Sequence, residues 1–241
     1  MAKAATSQLV RDVRDDLSPL WQAASRLPAK SRGQVILFTG PTTGLGVTSV
    51  AASLALLTAH RSLKSTWLVD LDFKANNAFA AFDTGFAGAV GRPGRAFDAS
   101  LGITDLYRLS GGAPVSDRRP RPKLLAVHQI EGTRLMVTRF RADQLKAGER
   151  VRMSDRADWW TALRRAADWI IVDAPSIDGS NAALDVCAHV DGVVIVLEAD
   201  RSTPADASTA REQVHARGGR VIGTVFNKER ADARFFSDLT G

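Results

Sequence analysis

The feature that most constrains this chain is the turn GPTTGLGVTS at positions 40–49, set directly behind the apolar run VILFT at 35–39. The run is rich in strand formers and predicts a buried strand, and residues 48–60 predict a helix. Strand, glycine turn and helix start, in that order, make an anion cradle. Backbone N–H groups of the turn and of the helix N-terminus face the anion, and Gly44 and Gly46 let it come close. Gly40, Thr43, Leu45, Val47 and Ser49 are the further residues expected to line it, and the Thr48 hydroxyl is suited to Mg2+. The full phosphate-loop pattern ends Gly-Lys-Ser/Thr; here Val47 stands at the lysine position. A hydrogen bond to a charged group is worth about 1.5–3 kcal/mol, so its loss weakens phosphate binding on the order of 10- to 150-fold. A dinucleotide fingerprint starting at Gly44 fails at its third glycine, which is Ser49. A purely structural glycine turn would leave the carboxylates described next without a role.

Further strands are expected at 67–70, 135–138, 169–173, 192–197 and 221–226. Helices are expected at 7–27, 156–167, 181–189 and 203–217, with a short helical turn at 105–109. Two stretches read as loops: 83–99, with glycines at 85, 88, 91 and 94 and Pro93, and 110–123, SGGAPVSDRRPRPK. Apolar strands alternating with helices imply α/β architecture: a doubly wound, mainly parallel sheet with helices on both faces, three layers deep. The expected division is an N-terminal helix and linker over 1–30 and a phosphate-loop domain over 31–241.

Ligands of such sheets sit beyond the carboxyl ends of the strands. Asp70 and Asp72 end one strand, Asp173 ends another, and Asn227 with Lys228 ends the last. Four distant segments would therefore meet at one crevice. Carboxylates there suit Mg2+, with Thr48, Asp72 and Asp173 as candidate metal residues. Asp70, Asp72 and Asp173 are the candidates for positioning a water or hydroxyl nucleophile. One such aspartate alone would read as a turn or helix cap; three at one sheet edge beside a glycine loop read as a site.

The charge is uneven. Residues 108–165 hold fourteen Lys/Arg and six Asp/Glu, a net of +8 in a chain of net +6. That segment is either a solvated surface with surplus arginine or a field that attracts anionic lipid or an acidic protein face. No zinc-finger or RNA-binding fingerprint accompanies it, so no nucleic acid is expected. A single cysteine, Cys187, excludes a disulfide scaffold and any multi-cysteine metal site and fits a reducing compartment. No stretch approaches the roughly 18 apolar residues of a membrane span, and acids occupy the N-terminus where a signal peptide needs an apolar run. The expected location is cytoplasmic, peripheral at the inner membrane through a partner.

Six segments in order, from about 34 to 228, resemble the bacterial tyrosine-kinase family of exopolysaccharide and capsule export, a branch of the ParA/MinD-like deviant phosphate-loop ATPases. VILFTGPTTGLGVTSVAASLA is similar to the family's Walker A strand, loop and helix. WLVDLDF followed by Lys74 is similar to its second acidic motif, with lysine for the usual arginine. LGITDLY at 101–107 resembles its GLSDLL turn, and DWIIVDAPSI at 168–177 its Walker B segment. DGVVIVLEADRST and RVIGTVFNK complete the order. The resemblance implies ATP or ADP with Mg2+ as cofactors, Asn227 near the base, and a membrane polysaccharide copolymerase or export protein as partner. Gln8, Arg11 and Arg14 echo the family's E-x-x-R-x-x-R oligomer helix, which implies a homo-oligomer, although glutamine replaces the glutamate. Val47 replaces the catalytic lysine. Tyr107 is the only tyrosine, so the family's C-terminal tyrosine cluster has no counterpart here. The function implied is that of a degenerate ATPase-like and tyrosine-kinase-like regulator, a pseudoenzyme, acting in capsule or holdfast-type exopolysaccharide biosynthesis. The alternative is an active ParA/MinD-type switch positioning cargo or a pilus or envelope machine. That switch would need a lysine reaching the phosphates from elsewhere, such as Lys74.

Overall fold

The computed structural model describes residues 11–28, 30–84, 86, 90–111, 123–154 and 156–228. In chain order these form a 3-10 turn (Arg14–Leu17), α1 (Ser18–Ser25), β1 (Gln34–Thr39), α2 (Val47–Arg61), β2 (Ser65–Asp70), α3 (Asn77–Asp83), β3 (Pro93–Asp98) and β4 (Tyr107–Ser110). There follow β5 (Leu125–Ile130), β6 (Leu135–Phe140), β7 (Arg150–Met153), α4 (Asp158–Ala166), β8 (Ala167–Asp173), α5 (Ala182–Val186), β9 (Gly192–Glu198), α6 (Pro204–Ala216) and β10 (Val221–Asn227).

Eight strands make one sheet in the order β10-β9-β1-β8-β2-β6-β5-β3, and β4 pairs with β7 in a separate ribbon. From β10 to β6 all neighbours are parallel. Strand alternation sends Val35 and Leu37 of β1 to one face and Ile36 and Phe38 to the other. The first face carries Trp159, Trp160 and Leu163 of α4, Ala183 of α5, Val214 of α6, and the inner side of the ribbon. The second carries Val50, Leu54 and Leu56 of α2 with Ala78 and Phe82 of α3. The molecule is thus a three-layer α/β/α fold with a mainly parallel sheet. Helix α2 is buried nearly all round because the segment ending in α1 packs over its outer side. That segment is stapled down where Ser49 Oγ accepts the Arg11 N–H at 3.0 Å and Ser53 Oγ accepts that of Val13 at 2.9 Å.

At the amino edge of the sheet one charged pair ties three segments together, α4, residues 30–35 and residues 189–191. Arg164 Nη1 of α4 lies 2.6 Å from Asp191 Oδ2, and both side chains are buried. The Asp191 carboxylate also accepts the N–H groups of Lys30 and Val35, while Arg164 donates to the carbonyls of Gly33 and His189. Every lone pair and proton that burial would strand has a partner, the condition under which a buried pair is tolerated.

Several local expectations are corrected. The stretch 83–99 is not loop throughout: Pro93–Asp98 is β3, an antiparallel edge strand on β5. Its half-exposed position explains both the missing apolar run and the tolerance of proline and glycine. The turn expected at 105–109 is extended, forming β4 from Tyr107. The helix expected over 7–27 is a 3-10 turn and the eight-residue α1, with 7–10 outside the described residues. The helix expected over 181–189 is α5 followed by a 3-10 turn, Cys187–His189. The sheet gains antiparallel β5 and β3 beyond β6. Of the expected loop 110–123, residues 112–122 lie outside the described residues.

Candidate functional site

The carboxyl edge of the parallel strands opens into a crevice of about 1960 Å3. Its lining includes Thr43 to Ser49, Asp70, Asp72, Asp173, Ser176 and Asn227, so the expected segments do converge. Gly40 sits behind the loop, where a Cβ would press on Leu45 Cδ1 and the Val196 carbonyl.

The cradle has the backbone it requires. Gly44 and Gly46 adopt φ of 85° and 83°, left-handed conformations that favour glycine. A Cβ at Gly46 would also run into Asn227 Nδ2. Among the described residues no side chain caps the N-terminus of α2, and this fifteen-residue helix directs its positive end at the crevice. Val47 does not imitate a lysine: it is half-buried and packs against the apolar cluster under the loop. Ser49, expected to face the ligand, is also committed to the Arg11 staple.

The loop is clasped from the far end of the chain. Asn227 Nδ2 donates to the Leu45 carbonyl at 2.9 Å, and Lys228 Nζ donates to that of Gly44 at 2.6 Å while pairing with Glu198 at 3.2 Å. Lysine 228, held by a left-handed backbone at φ 60°, is the lysine that touches the loop. Lys74 is exposed on the crevice wall, and its backbone N–H donates to Asp72.

The three aspartates stand in different environments. Asp70 and Asp173 are register partners on adjacent parallel strands, so their side chains share a face. Asp173 is 4% exposed and hydrogen-bonds the Thr48 side chain. Burial pushes its pKa up to about 7 against the pull of that bond, with Asp72 adding repulsion. Asp70 is raised well above the usual carboxylate range, first by burial and then by Asp173. Both its oxygens are occupied by backbone N–H groups, Oδ1 by Asp72 and Oδ2 by Ala78, each at 2.8 Å. Asp70 thus shapes the turn after β2 and enters α3, which removes it from easy contact with a nucleophile. Asp72 is half-exposed; Oδ1 accepts from the N–H groups of Lys74 and Ala75, and Oδ2 from the Asn77 carboxamide at 3.3 Å.

The donor set fits a magnesium-bound polyphosphate. Mg2+ retains waters and takes only one or two protein oxygens beside phosphate; the Thr48 hydroxyl and Asp173 carboxylate, already in contact, are such a pair. Among the described residues there is no group of three or more His, Cys, Asp or Glu side chains that could hold a metal ion by themselves. One wall keeps an unspent polar atom: Ser176 Oγ is buried and has no hydrogen-bond partner among the described residues, and its residue belongs to the crevice lining. Its place in the DAPSI segment gave no sequence signal. The ribbon residues Arg108 and Arg152 also reach the crevice and were not anticipated; the alternation in RVRM at 150–153 was the available hint.

Fold and crevice together define the class: a three-layer α/β/α protein with a glycine-rich anion cradle at the carboxyl edge of its parallel strands. Among solved structures, the chain has the fold of bacterial tyrosine-kinase domains and of MinD-like ATPases. It matches the kinase domain of VpsO at 17% identity and TM-score 0.58, over 90% of this chain and 94% of that one. It matches the kinase domain of Escherichia coli tyrosine kinase ETK at 16% and 0.53, over 84% and 71%. The MinD cell division protein of Aquifex aeolicus matches at 16% and 0.51, over 85% and 73%. No protein-family model matches the chain, and no curated protein matches it significantly by sequence.

Proposed function

We propose that this protein is a degenerate ATPase-like and tyrosine-kinase-like regulator of exopolysaccharide biosynthesis and export, which binds a magnesium–nucleotide complex weakly. The observation that carries this reading is Val47, half-buried against the apolar cluster at the loop position where the phosphate-loop pattern has its lysine, in a crevice otherwise assembled. Gly44, Gly46 and the first turn of α2 would hold the phosphates, Thr48 and Asp173 would hold the metal, and Asp72 would orient a metal-bound water. Bound nucleotide would bring in a metal, whose positive charge would offset that of the carboxylates there. Asn227 is assigned to the rim on the base side, where its present bond also fixes the loop.

A phosphotransfer role has little support from the acceptor side. Tyr107, the single tyrosine of these 241 residues, is 9% exposed and wedged edge-on against Phe140 at 5.1 Å and Phe73 at 6.3 Å. Regulation would act through docking on the cytosolic face of a polysaccharide copolymerase or export protein, with anionic lipid and self-association as further contacts. Among the described residues no helix is long and apolar enough to cross a membrane, so such contact would be peripheral.

Titration calorimetry with Mg·ATP, a steady-state ATPase assay and a pull-down with a membrane polysaccharide copolymerase from the same organism test the proposal together. Expected are weak binding abolished by Thr48→Ala, turnover at background, and co-purification with the copolymerase. Robust turnover that Asp173→Asn removes would overturn it in favour of an active switch; no envelope polysaccharide partner would remove the regulatory role.

A further inference from the structure

We infer that the free edge of β7 is a docking site for an extended peptide segment of a partner protein, one that carries acidic residues at alternate positions. The segment joins the ribbon as a third strand beside β7, inside the crevice. The inference goes beyond the proposed function and does not depend on bound nucleotide.

The register of the ribbon shows which backbone groups it leaves unused. The Ser154 N–H donates to the Leu106 carbonyl at 2.9 Å, and the pairing runs on through Met153 with Tyr107, Arg152 with Arg108 and Val151 with Leu109. Hydrogen-bonded and non-bonded pairs alternate along an antiparallel ladder. The backbone of Arg152 is therefore bonded to β4, while the N–H and C=O groups of Val151 and Met153 point away from it. Among the described residues none of these four groups has a hydrogen-bond partner. The crevice lining includes Val151, Arg152 and Met153 in succession. A crevice that met a face of the strand would meet every second residue; three in a row mean that it meets the edge. Such an open edge is what an added strand pairs with.

The two faces beside that edge set the chemistry of the added strand. On one, Val151 and Met153 pack against the apolar cluster that includes Leu184 of α5, so peptide side chains on that side meet apolar surface. On the other, Arg150 and Arg152 are exposed, two residues apart, and neither has an ion pair among the described residues. The Asp185 carboxylate on the same lining is already paired with Arg217 at 3.4 Å. Carboxylates at every second position of the peptide face the two arginines, whose planar forks suit them, and cross-strand pairs of opposite charge stabilise a ladder. The crevice has the room: its volume of about 1960 Å3 is about twice the upper end of the range of ordinary ligand pockets.

Fluorescence anisotropy of the full chain with the labelled peptide Glu-Val-Glu-Val-Glu tests the site, with Lys-Val-Lys-Val-Lys and the block arrangement Glu-Glu-Glu-Val-Val as comparisons. The variants are Val151→Pro, which removes an outward N–H and no bond to β4, and the double charge reversal Arg150→Glu, Arg152→Glu. Circular dichroism and thermal melting establish that each is folded. Expected is saturable binding of the alternating acidic peptide, weakened about fivefold or more by Val151→Pro through one lost hydrogen bond. The double charge reversal should take the lysine peptide instead. Hydrogen exchange should show the Val151 and Met153 amides protected by the acidic peptide, with or without Mg·ATP. No saturable binding, equal affinity for the block peptide, an unchanged preference in the folded charge reversal, or protection elsewhere overturns the inference. Protection of the two amides that rises with protein concentration in the absence of peptide gives the edge to a second copy and overturns it as well. Absence of Mg·ATP binding leaves the peptide result as it stands, so the nucleotide reading and this one fail separately.

Discussion

Asn227, the last residue of the last strand, donates its carboxamide N–H to the carbonyl of Leu45 in the first loop, across 182 positions of sequence. The same carboxamide fills the space a side chain at position 46 would need. Strand β10 and the glycine loop are therefore one mechanical unit, which neither segment can form alone. Asn227→Ala should cost about 0.5–1.5 kcal/mol, the net worth of one hydrogen bond. Gly46→Ala should cost more, because it adds a left-handed alanine to the collision. Urea unfolding of both variants decides; a smaller loss for Gly46→Ala would show that the clasp yields.

Arg164→Ala should be far more disruptive. It leaves the Asp191 carboxylate buried without its counter-charge, a change that costs about 3–5 kcal/mol. The Arg164→Met, Asp191→Leu double variant should recover part of that loss. Chemical denaturation midpoints measure both, and an Arg164→Ala loss below about 1 kcal/mol would mean that water reaches the pair.

The pH dependence of Asp173 has a definite sign. Its folded pKa, about 7, lies above the ordinary 3.8. Folding therefore favours the protonated form; the associated stability is fully present below about pH 4 and is lost as pH rises through about 7. Asp70 is shifted in the same direction. With metal chelated, Asp173→Asn should be more stable than wild type at pH 8, with the advantage shrinking towards pH 5. Paired urea curves at the two pH values give the answer. An advantage independent of pH would place the titration elsewhere.

Val47→Lys should strengthen Mg·ATP binding about 10- to 150-fold, the worth of one hydrogen bond to a charged group. Calorimetry reads it directly. The substitution also takes an apolar contact out of the cluster under the loop, so a lower melting temperature should accompany the gain. Tighter binding without any loss of stability would show that Val47 contributes little to packing.

Thr203→Ala should cost about 1 kcal/mol. The Thr203 hydroxyl accepts the Asp206 N–H while the Asp206 carboxylate accepts the Thr203 N–H, closing a reciprocal cap on α6. Thermal unfolding measures the shift.

The inner parallel strands β1, β2, β8 and β9 were legible because they are buried on both faces and read as apolar runs, as in GVVIVL at 192–197. Helix α6 announced itself through Thr203, Pro204 and the closing glycines 218 and 219. Strands β3, β4 and β7 did not, being short or at an edge and wetted on one side. Arg108 and Arg152 looked like ordinary surface charge for the same reason. Nothing local shows that position 108 will stand across from position 152.

The sequence by itself determined the alternation of strand and helix, the anion-binding loop and its missing cation, because each is written in contiguous residues whose backbone preferences are local. Only the tertiary structure decided what surrounds that loop: Asn227 and Lys228 on its carbonyls, Thr48 on Asp173, Asp70 spent on its own turn, and two arginines on the facing wall. Those relationships depend on strand order and register, which the burial of side chains from the whole chain settles together.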